Sequence, residues 1–342
     1  MQAALVGVTG YAGMILYQLL KKHPNVNKVN IYSHSIEQPT ALSSLVESFV
    51  DDDRQVLPYD PHSVMENNDV VFFATSAGVT SKIAEPFINA NFPVIDLSGD
   101  FRLKNPKSYA KWYKKTPADA NDLKQADYGL ADFNNAKGSH YIANPGCYAT
   151  PTLIGLAPLV IEGLVDEKSI VVDAKSGTSG AGKKLSESTH FSNTNDNLQI
   201  YKANQHQHIP EIVQQLQQWN SKIPFIEFMT TLLPVTRGIM ATIYAKVKPG
   251  IDSEQITGAY KKTYQDKQFI RFFDDKLPVL KEVVGTNYCD VGTVFNETTQ
   301  TVTVVSVIDN LIKGAAGQAV QNFNEMFGYD KSAGLKLDPV LL

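Results

Sequence analysis

Cysteine is scarce in this 342-residue chain, which contains only Cys147 and Cys289. Two cysteines in a chain of this length do not form a disulfide framework, so a reducing compartment is favoured. The chain has no apolar run of about 18 residues or more, so we expect no membrane span. Its first residues, MQAALVGVTGYAG, lack the basic and long apolar regions of a signal peptide. We therefore expect a cytoplasmic protein.

An excess of positive charge is also missing. The chain has 31 Lys and Arg against 35 Asp and Glu, a net charge of −4, so its charge does not point to nucleic acid or to an anionic membrane. The hydrophobic share of 43% and the charged share of 19% are ordinary for a soluble globular protein. The chain is too long for one ordinary core, so we expect two domains.

The first half of the chain alternates apolar strands with helical patterns. We expect strands at 3–8, 29–32, 69–74 and 93–97, and helices at 12–22 and 81–90. Continuous apolar strands between helices are typical of a parallel sheet covered on both faces. The sequence therefore predicts an α/β fold with a Rossmann-type, doubly wound parallel sheet.

The second half has longer strands, several of which alternate polar and apolar residues, as in TTLLPV and TVTVVSVI. We expect strands at 169–174, 227–233, 241–247 and 301–308, and a last helix at 313–326. Alternation favours a sheet with one wetter face, more often antiparallel. The sequence therefore predicts a second, α+β domain with a mixed or antiparallel sheet.

Three glycines follow the first predicted strand. Gly7, Gly10 and Gly13 are spaced G-x-x-G-x-x-G, a variant of the dinucleotide fingerprint. Glycines permit a tight turn and close backbone approach, and the N–H groups at the helix start then hold a pyrophosphate. A turn that binds no ligand is the alternative. The position at the first strand of an α/β pattern favours a dinucleotide site.

The end of the second predicted strand lacks the acidic residue that an NAD site usually places on the ribose hydroxyls. Residues 31–35 have the sequence IYSHS, which offers hydroxyls and a histidine. Ser33 and its neighbours suit a ribose phosphate better than a carboxylate would, so they favour NADP(H). A plain polar turn is the alternative.

Cys147 lies in the stretch NPGCYAT, where Pro-Gly forces a turn and a helical run over 152–160 follows. A cysteine near a helix N-terminus has a stabilised thiolate and a lowered thiol pKa. The N–H groups nearby can also receive a developing oxyanion. A buried, inert cysteine is the alternative, and we expect that state for Cys289. Cys147 is therefore the predicted nucleophile.

A thiol nucleophile needs an acid/base partner, and His206 and His208 of the HQH stretch are the candidates. If this stretch is extended, both side chains point to the same face. A metal pair is one alternative, but no cluster of Cys or carboxylates accompanies it, so we expect no metal. A pair of solvated histidines before the next helix, at 210–219, is another. The sequence does not indicate which of the two histidine rings is the acid/base.

Seven stretches together resemble a known family, in the family's order and across nearly the whole chain. The chain resembles the N-acetyl-gamma-glutamyl-phosphate reductases of arginine biosynthesis, which are relatives of aspartate-semialdehyde dehydrogenase. The matching stretches are GVTGYAG at 7–13, DLSGDFRL at 96–103, NPGCYAT at 144–150, SGTSGAGKK at 176–184, HQHIPEI at 206–212, PVTRGI at 234–239 and DNLIKGAAGQAVQ at 309–321.

The resemblance implies an oxidoreductase that acts on a small acyl phosphate. NADPH would reduce N-acetyl-gamma-glutamyl phosphate to N-acetyl-glutamate gamma-semialdehyde, with release of phosphate. By analogy Cys147 attacks the acyl phosphate, the resulting thioester takes a hydride, and the hemithioacetal collapses to aldehyde and thiolate. One histidine of the HQH stretch, His206 before His208, would assist as acid/base.

The resemblance also implies the residues that hold the two ligands. Those expected at the cofactor are Gly7, Thr9, Gly10, Tyr11, Ala12, Gly13, Ser33, Ser176, Gly177, Gly180 and Asn310. Those expected at the substrate are Arg102, Asn144, Ser179 and Arg237. A guanidinium suits a phosphate or a carboxylate because it binds either in a bidentate manner. The alternative for Arg102 is an ion pair with Asp100, and the alternative for Asn310 is a helix N-cap.

In the family the last helix returns to the nucleotide domain, so the resemblance implies a discontinuous first domain. We expect a dinucleotide-binding domain at 1–147 and 310–342, and a substrate-binding and dimerisation domain at 148–309. The resemblance also implies a homodimer or a homotetramer. Residues 51–65 match no function.

Other substrates and other functions are open alternatives. The HQHIPE and TSGAG matches favour the acetylglutamyl substrate over aspartyl phosphate, and a free small substrate is commoner than a carrier-linked aminoadipyl phosphate. A non-catalytic dinucleotide sensor would have no need of Cys147 beside the HQH stretch. A cysteine hydrolase would have no need of a cofactor turn.

Overall fold

A computed structural model describes residues 1–340 and divides the chain into two compact units. Unit 1 comprises residues 1–145 and 315–336, and unit 2 comprises residues 146–314 together with residues 337–340. The sequence-based boundaries at 147 and 310 differ from these by a few residues. Cys147 and Asn310 both belong to unit 2, and the chain returns to unit 1 at Ala315.

Unit 1 is built on one sheet with short connecting helices. Its strands are β1 (Gln2–Val6), β2 (Lys28–Ser33), β3 (Thr40–Ala41), β4 (Gln55–Pro58), β5 (Val70–Phe73), β6 (Val94–Asp96), β7 (Ala126–Tyr128) and β8 (Tyr141–Ala143). Its helices are α1 (Tyr11–Lys21), α2 (Leu42–Leu45), α3 (Pro61–Asn67), α4 (Thr80–Ile83), α5 (Glu85–Asn89), α6 (Pro106–Tyr113), α7 (Ala120–Gln125) and, last in the chain, α12 (Gly317–Met326).

The strand order of unit 1 is β3-β4-β2-β1-β5-β6-β8-β7, and every pair except β3–β4 is parallel. The chain runs outward from β1 through β2 and β4 on one side and from β5 through β6 and β8 on the other. The order therefore reverses between β1 and β5, and such a reversal opens a crevice at the carboxyl ends of the strands. This arrangement confirms the predicted doubly wound sheet.

Helix α12 belongs to the core of unit 1, although more than 170 residues separate it from β8. Its buried Phe323 lies 5.7 Å from Phe72 of β5, measured between ring centroids, and 5.3 Å from the ring of His23. The amide oxygen of Asn324 is 2.8 Å from His23 Nε2. These contacts hold α12 against β5 and against His23, which follows α1 in the sequence.

Unit 2 contains the longer strands and four helices. The strands are β9 (Val171–Ser176), β10 (Gln199–Tyr201), β11 (Glu227–Leu232), β12 (Ile239–Lys246), β13 (Ile270–Phe273), β14 (Cys289–Asn296) and β15 (Thr301–Ile308). The helices are α8 (Ala149–Ile161), α9 (Phe191–Thr194), α10 (Ile209–Trp219) and α11 (Ser253–Tyr264).

The strand order of unit 2 is β10-β11-β9-β12-β15-β14-β13. The pairs β11–β9 and β13–β14 are parallel and the other pairs are antiparallel, so the sheet is mixed, as predicted. Strands β13 and β14 lie outside the strands that the sequence predicts. Cys289, the first residue of β14, is fully buried with its sulfur 3.3 Å from Ser306 Oγ.

Helix α8 is the buried centre of unit 2. Every residue from Ala149 to Val160 is buried, as expected for a helix that is apolar all round. Gly155 lets it approach the sheet, because an added Cβ there would lie 2.9 Å from Ile243 Cδ1 on β12. The helix is therefore held rigidly, and so is the turn at its N-terminus.

The last part of the chain departs from the predicted single helix at 313–326. A π-helical turn over Ile312–Ala316 precedes α12. Asp309 caps this turn, since its Oδ1 accepts the N–H groups of Leu311 at 2.8 Å and Ile312 at 3.1 Å. Within residues 1–340, no helix has the length and apolar character needed to cross a bilayer.

Candidate active site

The structure places Cys147 directly before α8. Tyr148 is the N-cap residue of this helix, and the N–H of Thr150 donates to Gly146 O at 3.0 Å, which closes the turn. The Cys147 side chain is partly exposed, whereas Cys289 is buried. The positive end of the α8 dipole favours a thiolate at this position. The neighbouring chain approaches closely at Gly314, where an added Cβ would lie 3.0 Å from Cys147 Cβ.

The two histidines lie beside the residues that flank Cys147. The ring of His208 contacts Gly146 so closely that an added Cβ there would overlap its Nε2, Cε1 and Cδ2 atoms. The ring of His206 packs edge-on against Tyr148, with 5.1 Å between ring centroids. The condition that the HQH stretch is extended is not met, because His208 is the N-cap of α10 with a helical backbone conformation. The two rings instead meet edge to face, 4.7 Å apart.

Two tyrosines complete the surroundings of Cys147. Tyr148 Oη and Tyr201 Oη are 2.8 Å apart. Burial is the main cause that raises the pKa of both phenols, that of Tyr201 to about 12, and the negative charge of a Cys147 thiolate raises both further. Both hydroxyls therefore stay protonated and can donate hydrogen bonds near the thiol.

Glu211 is a member of this cluster that the sequence reasoning missed. Its side chain is fully buried at the third position of α10, and its Oε1 accepts the N–H of Gly146 at 2.7 Å. The start of a helix favours a carboxylate. Glu211 therefore fixes the turn before Cys147 from the same helix end that carries His208. The only signal in the sequence is an acidic residue in a predicted first helical turn, which is common.

The glycine-rich loop after β9 is held by two other loop segments of unit 2, one at Thr236–Gly238 and one at Asn310. Gly177 fits against the backbone of Thr236 and Arg237, and an added Cβ there would lie 2.8 Å from Arg237 N. Asn310 joins the two loops, since its Oδ1 accepts the N–H of Gly238 at 2.7 Å and its Nδ2 donates to Ser179 Oγ at 3.0 Å. An added Cβ at Gly180 would lie 2.7 Å from Ser176 Oγ.

Arg237 and Ser176 link this loop cluster to buried groups. Arg237 Nη2 lies 2.8 Å from Asp309 Oδ2, and the carboxylate of Asp309 is fully buried while the arginine is 23% exposed. Ser176 Oγ donates to Gly177 O at 2.9 Å, and the serine is also a hydrogen-bond partner of Tyr148. The predicted residues Ser176, Gly177, Ser179, Gly180, Arg237 and Asn310 therefore form one cluster, and Ser176 connects it to the neighbour of Cys147.

In unit 1 the glycine turn lies at the carboxyl end of β1, at the reversal point of the sheet. Gly7 has φ of 101°, and an added Cβ would lie 2.6 Å from Ala74 O at the end of β5. Gly13 packs α1 against Gly7, where an added Cβ would overlap Gly7 O. Gly10 is the N-cap of α1, and an added Cβ there would meet nothing within 4 Å.

These features fit a dinucleotide pyrophosphate. The first-turn N–H groups of α1, which begins with Tyr11 and Ala12 after Thr9, have no capping side chain at Gly10, and the space beside the Gly10 Cα is open. Such N–H groups at a helix start bind phosphate oxygens. Ser33 ends the neighbouring strand β2, and its Oγ lies 2.9 Å from Ser35 Oγ. Both positions follow carboxyl ends of parallel strands, so they lie at the same edge of the sheet.

Arg102 and Asn144 also follow strands at this edge, but both are tied to backbone groups of unit 1. Arg102, 7% exposed, donates from Nε to Asn144 O at 2.7 Å and from Nη2 to Leu97 O at 2.9 Å. The side chain of Asn144 is fully buried; it donates to Ala315 O at 3.1 Å and accepts from Asn322 Nδ2 at 3.0 Å. Arg102 and Asn144 therefore both have a structural role in unit 1.

Comparison with known proteins gives family matches for most of the chain. Residues 2–140 match the family described as semialdehyde dehydrogenase, NAD binding domain. Residues 147–310 match the family described as semialdehyde dehydrogenase, dimerisation domain. Among solved structures, the chain resembles aspartate semialdehyde dehydrogenase with NADP from Candida albicans, with a TM-score of 0.70, 16% identity and coverage of 97% of this chain and 98% of the other. A second such enzyme, from Vibrio cholerae, has a TM-score of 0.69 and 17% identity over 95% and 97% of the two chains. At these identities the likeness concerns the fold.

Closer relatives share the sequence itself. The N-acetyl-gamma-glutamyl-phosphate reductase of Limosilactobacillus fermentum is 57% identical over 341 residues, which cover 100% of both chains. The enzyme of the same name from Lactococcus lactis is 51% identical over 99% of both chains. The chain therefore belongs to the family of N-acetyl-gamma-glutamyl-phosphate reductases, which are oxidoreductases of the semialdehyde dehydrogenase type.

Proposed function

We propose that this protein reduces N-acetyl-gamma-glutamyl phosphate to N-acetyl-glutamate gamma-semialdehyde, with release of phosphate, as a step of arginine biosynthesis. The observation that carries the proposal is the placement of Cys147 at the start of α8 with the ring of His208 against the preceding Gly146. A thiolate with an imidazole at its side suits acyl transfer from an acyl phosphate.

The proposed reaction begins with attack of the Cys147 thiolate on the acyl carbon. A carbon–sulfur bond forms and the carbon–oxygen bond to phosphate breaks, with the electron pair leaving on phosphate. The oxyanion that develops faces the N–H groups at the start of α8. A bound nicotinamide supplies the hydride that reduces the thioester. His208 donates a proton to the oxygen and takes it back as the hemithioacetal collapses to aldehyde and thiolate.

We assign the acid/base role to His208 and not to His206, which the family resemblance put first. The ring of His208 touches the residue before Cys147, whereas the ring of His206 packs against that of Tyr148, the residue after it. Gly146 N–H is already bound to Glu211, so it does not serve the oxyanion. The oxyanion would instead be bound by the N–H groups of Tyr148, the N-cap, and Ala149, the first residue of α8.

The dinucleotide is held by unit 1 in this proposal, and NADP(H) is the preferred form. The glycine turn would receive the pyrophosphate at the start of α1. The hydroxyls of Ser33 and Ser35 would face the ribose phosphate, where an acidic side chain would repel it. Ser33→Asp should weaken NADPH binding and strengthen NADH binding, measured by fluorescence titration. Unchanged binding of both would contradict the NADP assignment.

Arg237 is the proposed clamp for an anionic group of the substrate. Its ion pair with buried Asp309 fixes the guanidinium, and the arginine side chain as a whole is 23% exposed. Ser179 and Asn310 lie in the same loop cluster, and Asn310 has used only one of its two amide hydrogens in the bond to Ser179. That second hydrogen suits the proposed bond to the carboxamide of the nicotinamide. Arg102 and Asn144 would contribute by shaping the turn around the substrate.

A homodimer through the open face of the unit 2 sheet is proposed as the assembly. Strand pairing puts four exposed apolar side chains on the face opposite α8, one each on β10, β9, β12 and β14: Ile200, Val171, Tyr244 and Val294. The match to a dimerisation domain over 147–310 includes all four. Tyr244→Asp should dissociate the dimer in sedimentation analysis. Val50→Asp, an exposed apolar residue of unit 1, serves as the control and should leave assembly unchanged.

The reverse reaction tests the proposed function. The protein is mixed with N-acetyl-glutamate gamma-semialdehyde, phosphate and NADP, and NADPH is followed by absorbance. We expect phosphate-dependent NADPH formation that is lost in Cys147→Ser. Aspartate semialdehyde in a parallel reaction should be turned over poorly. Equal or better activity with the aspartyl substrate would overturn the substrate assignment but leave the mechanism intact.

A further inference from the structure

His206 is enclosed by aromatic rings on several sides and is only 4% exposed. Its ring meets those of His208 at 4.7 Å and Tyr148 at 5.1 Å edge to face, and lies 6.1 Å from that of Phe228. Tyr201 packs against it as well, at 6.2 Å. The ring therefore has one fixed orientation inside unit 2.

One nitrogen of this fixed ring is committed to the main chain. His206 Nδ1 accepts the backbone N–H of His208 at 3.2 Å. A ring nitrogen that accepts a hydrogen bond carries no proton, so the neutral imidazole is protonated at Nε2. Taking up a second proton would require the loss of this bond.

The surroundings of His206 keep it neutral. Burial is the largest cause that lowers the pKa of His206, to about 2, and the positive charges of His208 and Lys202 lower it further. The other titratable groups that face the ring, Tyr148 and Tyr201, have raised pKa values and are uncharged. The charges that act on His206 are thus positive, and both disfavour an imidazolium.

We infer that His206 is a positioning residue, which holds the main chain of His208 at the start of α10 so that the His208 ring stays against Gly146. The bond at Nδ1 fixes the backbone of the α10 N-cap, and the aromatic contacts fix the ring that makes this bond. The two histidines of one short stretch thus have different tasks. In the test below, the measurement of kcat rests on the proposed function, whereas the measurements of amide exchange and of Cys147 alkylation do not.

Three substitutions separate a positioning role from a chemical one. In His206→Asn the amide oxygen occupies the place of Nδ1 and can accept the same N–H. In His206→Gln the amide instead reaches the place of Nε2. In His206→Phe an aromatic ring fills the space without any nitrogen. His208→Gln is the reference for loss of the acid/base. Circular dichroism and thermal unfolding confirm that each variant folds.

The readouts are hydrogen exchange of the His208 amide, the pH profile of Cys147 alkylation by iodoacetamide, and kcat in the reverse reaction. His206→Asn should keep the amide protected, keep the alkylation profile, and lower kcat by less than about tenfold. His206→Phe and His206→Gln should speed amide exchange by about fivefold or more and alter the profile. His208→Gln should lower kcat by about 10² to 10⁴.

The inference is overturned if His206→Asn lowers kcat as much as His208→Gln does. It is also overturned if His206→Gln has a higher kcat than His206→Asn, because Nε2 of His206 would then be the atom that turnover requires. Fast exchange of the His208 amide in His206→Asn would also overturn it. If wild-type protein fails to turn over the semialdehyde while exchange and alkylation follow the expected pattern, the proposed function fails and the inference stands.

Discussion

The contact between Gly146 and His208 leads to a sharp prediction about one methyl group. In Gly146→Ala the added Cβ would lie 2.8 Å from His208 Cδ2 and closer still to Nε2 and Cε1. Carbon contacts become favourable near about 3.5 Å, so the His208 ring must move by about 1 Å. A misplacement of about 1 Å in a catalytic group can cost about 10²-fold in rate. We therefore expect kcat to fall by about 10²-fold.

The loss should not come from the backbone. Gly146 is not one of the described glycines with positive φ, so alanine accepts its conformation. Gly258→Ala in α11 is the matched control, because an added Cβ there meets nothing within 4 Å. The control should keep kcat and gain up to about 1 kcal/mol in the free energy of unfolding, since alanine is the better helix former.

A double-mutant cycle decides whether the effect passes through His208. Steady-state kinetics of the reverse reaction are measured for Gly146→Ala, His208→Ala and the double variant. If the methyl group acts by displacing the His208 ring, adding Gly146→Ala to His208→Ala should cost almost nothing further. Additive losses, or a Gly146→Ala variant with wild-type kcat, would refute the reasoning.

Three further predictions concern the glycine turn, the buried carboxylate and stability against acid. Gly10→Ala should keep the melting temperature of the protein but raise the Kd for NADPH. Gly13→Ala should lower the melting temperature, because the added Cβ would overlap Gly7 O. If the two variants changed the melting temperature and the Kd to the same extent, a ligand role for the turn would be contradicted. Glu211→Ala should cost about 1–3 kcal/mol in urea unfolding by leaving the buried Gly146 N–H without its acceptor, and Glu211→Gln should recover most of this. Burial lowers the pKa of His23, so the unfolded chain binds its proton first as the pH falls. The contribution of His23 to the free energy of unfolding should therefore be constant above the unfolded pKa of about 6.5 and should fall below it, measured as the difference between the wild-type and His23→Gln profiles. An identical profile in the variant would assign the acid sensitivity to other groups.

The parts of the fold with local signals could be predicted from the sequence. The glycine turn after β1 and the helix after Cys147 depend on neighbours in the chain, where Gly and Pro restrict the backbone directly. The doubly wound sheet follows from continuous apolar strands between helices. Strand β14 could not be predicted, because Cys289–Asn296 becomes a strand through pairing with β13 and β15 rather than through its own pattern.

The contacts that organise the site are mostly long-range. The bond from Gly146 N–H to Glu211 joins residues 65 apart, and the Tyr148–Tyr201 pair joins residues 53 apart. No pattern within one segment indicates such a pair. We propose different tasks for the two histidines, and these also depend on a turn of the chain. The turn brings His206 Nδ1 to the N–H of His208. An extended strand, in which every second side chain points to the same face, would not bring these two atoms together.

A polar side chain that the sequence suggests for ligand binding can instead form hydrogen bonds with the main chain in the folded protein. Arg102 resembles an anion clamp by its type, yet its Nε and Nη2 donate to carbonyl oxygens. At the end of β15 a helix N-cap is the alternative that the sequence gives for Asn310, but the structure uses its neighbour Asp309 for this purpose. Asn310 instead joins the loops at Ser179 and Gly238.

Direct detection of the acyl group on Cys147 tests the central claim. The protein is mixed with N-acetyl-glutamate gamma-semialdehyde and NADP in the absence of phosphate, and then analysed by peptide mass spectrometry after acid quenching. We expect a burst of NADPH of about one equivalent per chain, together with the mass of an N-acetylglutamyl group on the peptide that contains Cys147. The adduct should disappear when phosphate is added. Steady NADPH formation from an unmodified Cys147, or an equal adduct in Cys147→Ser, would contradict the account.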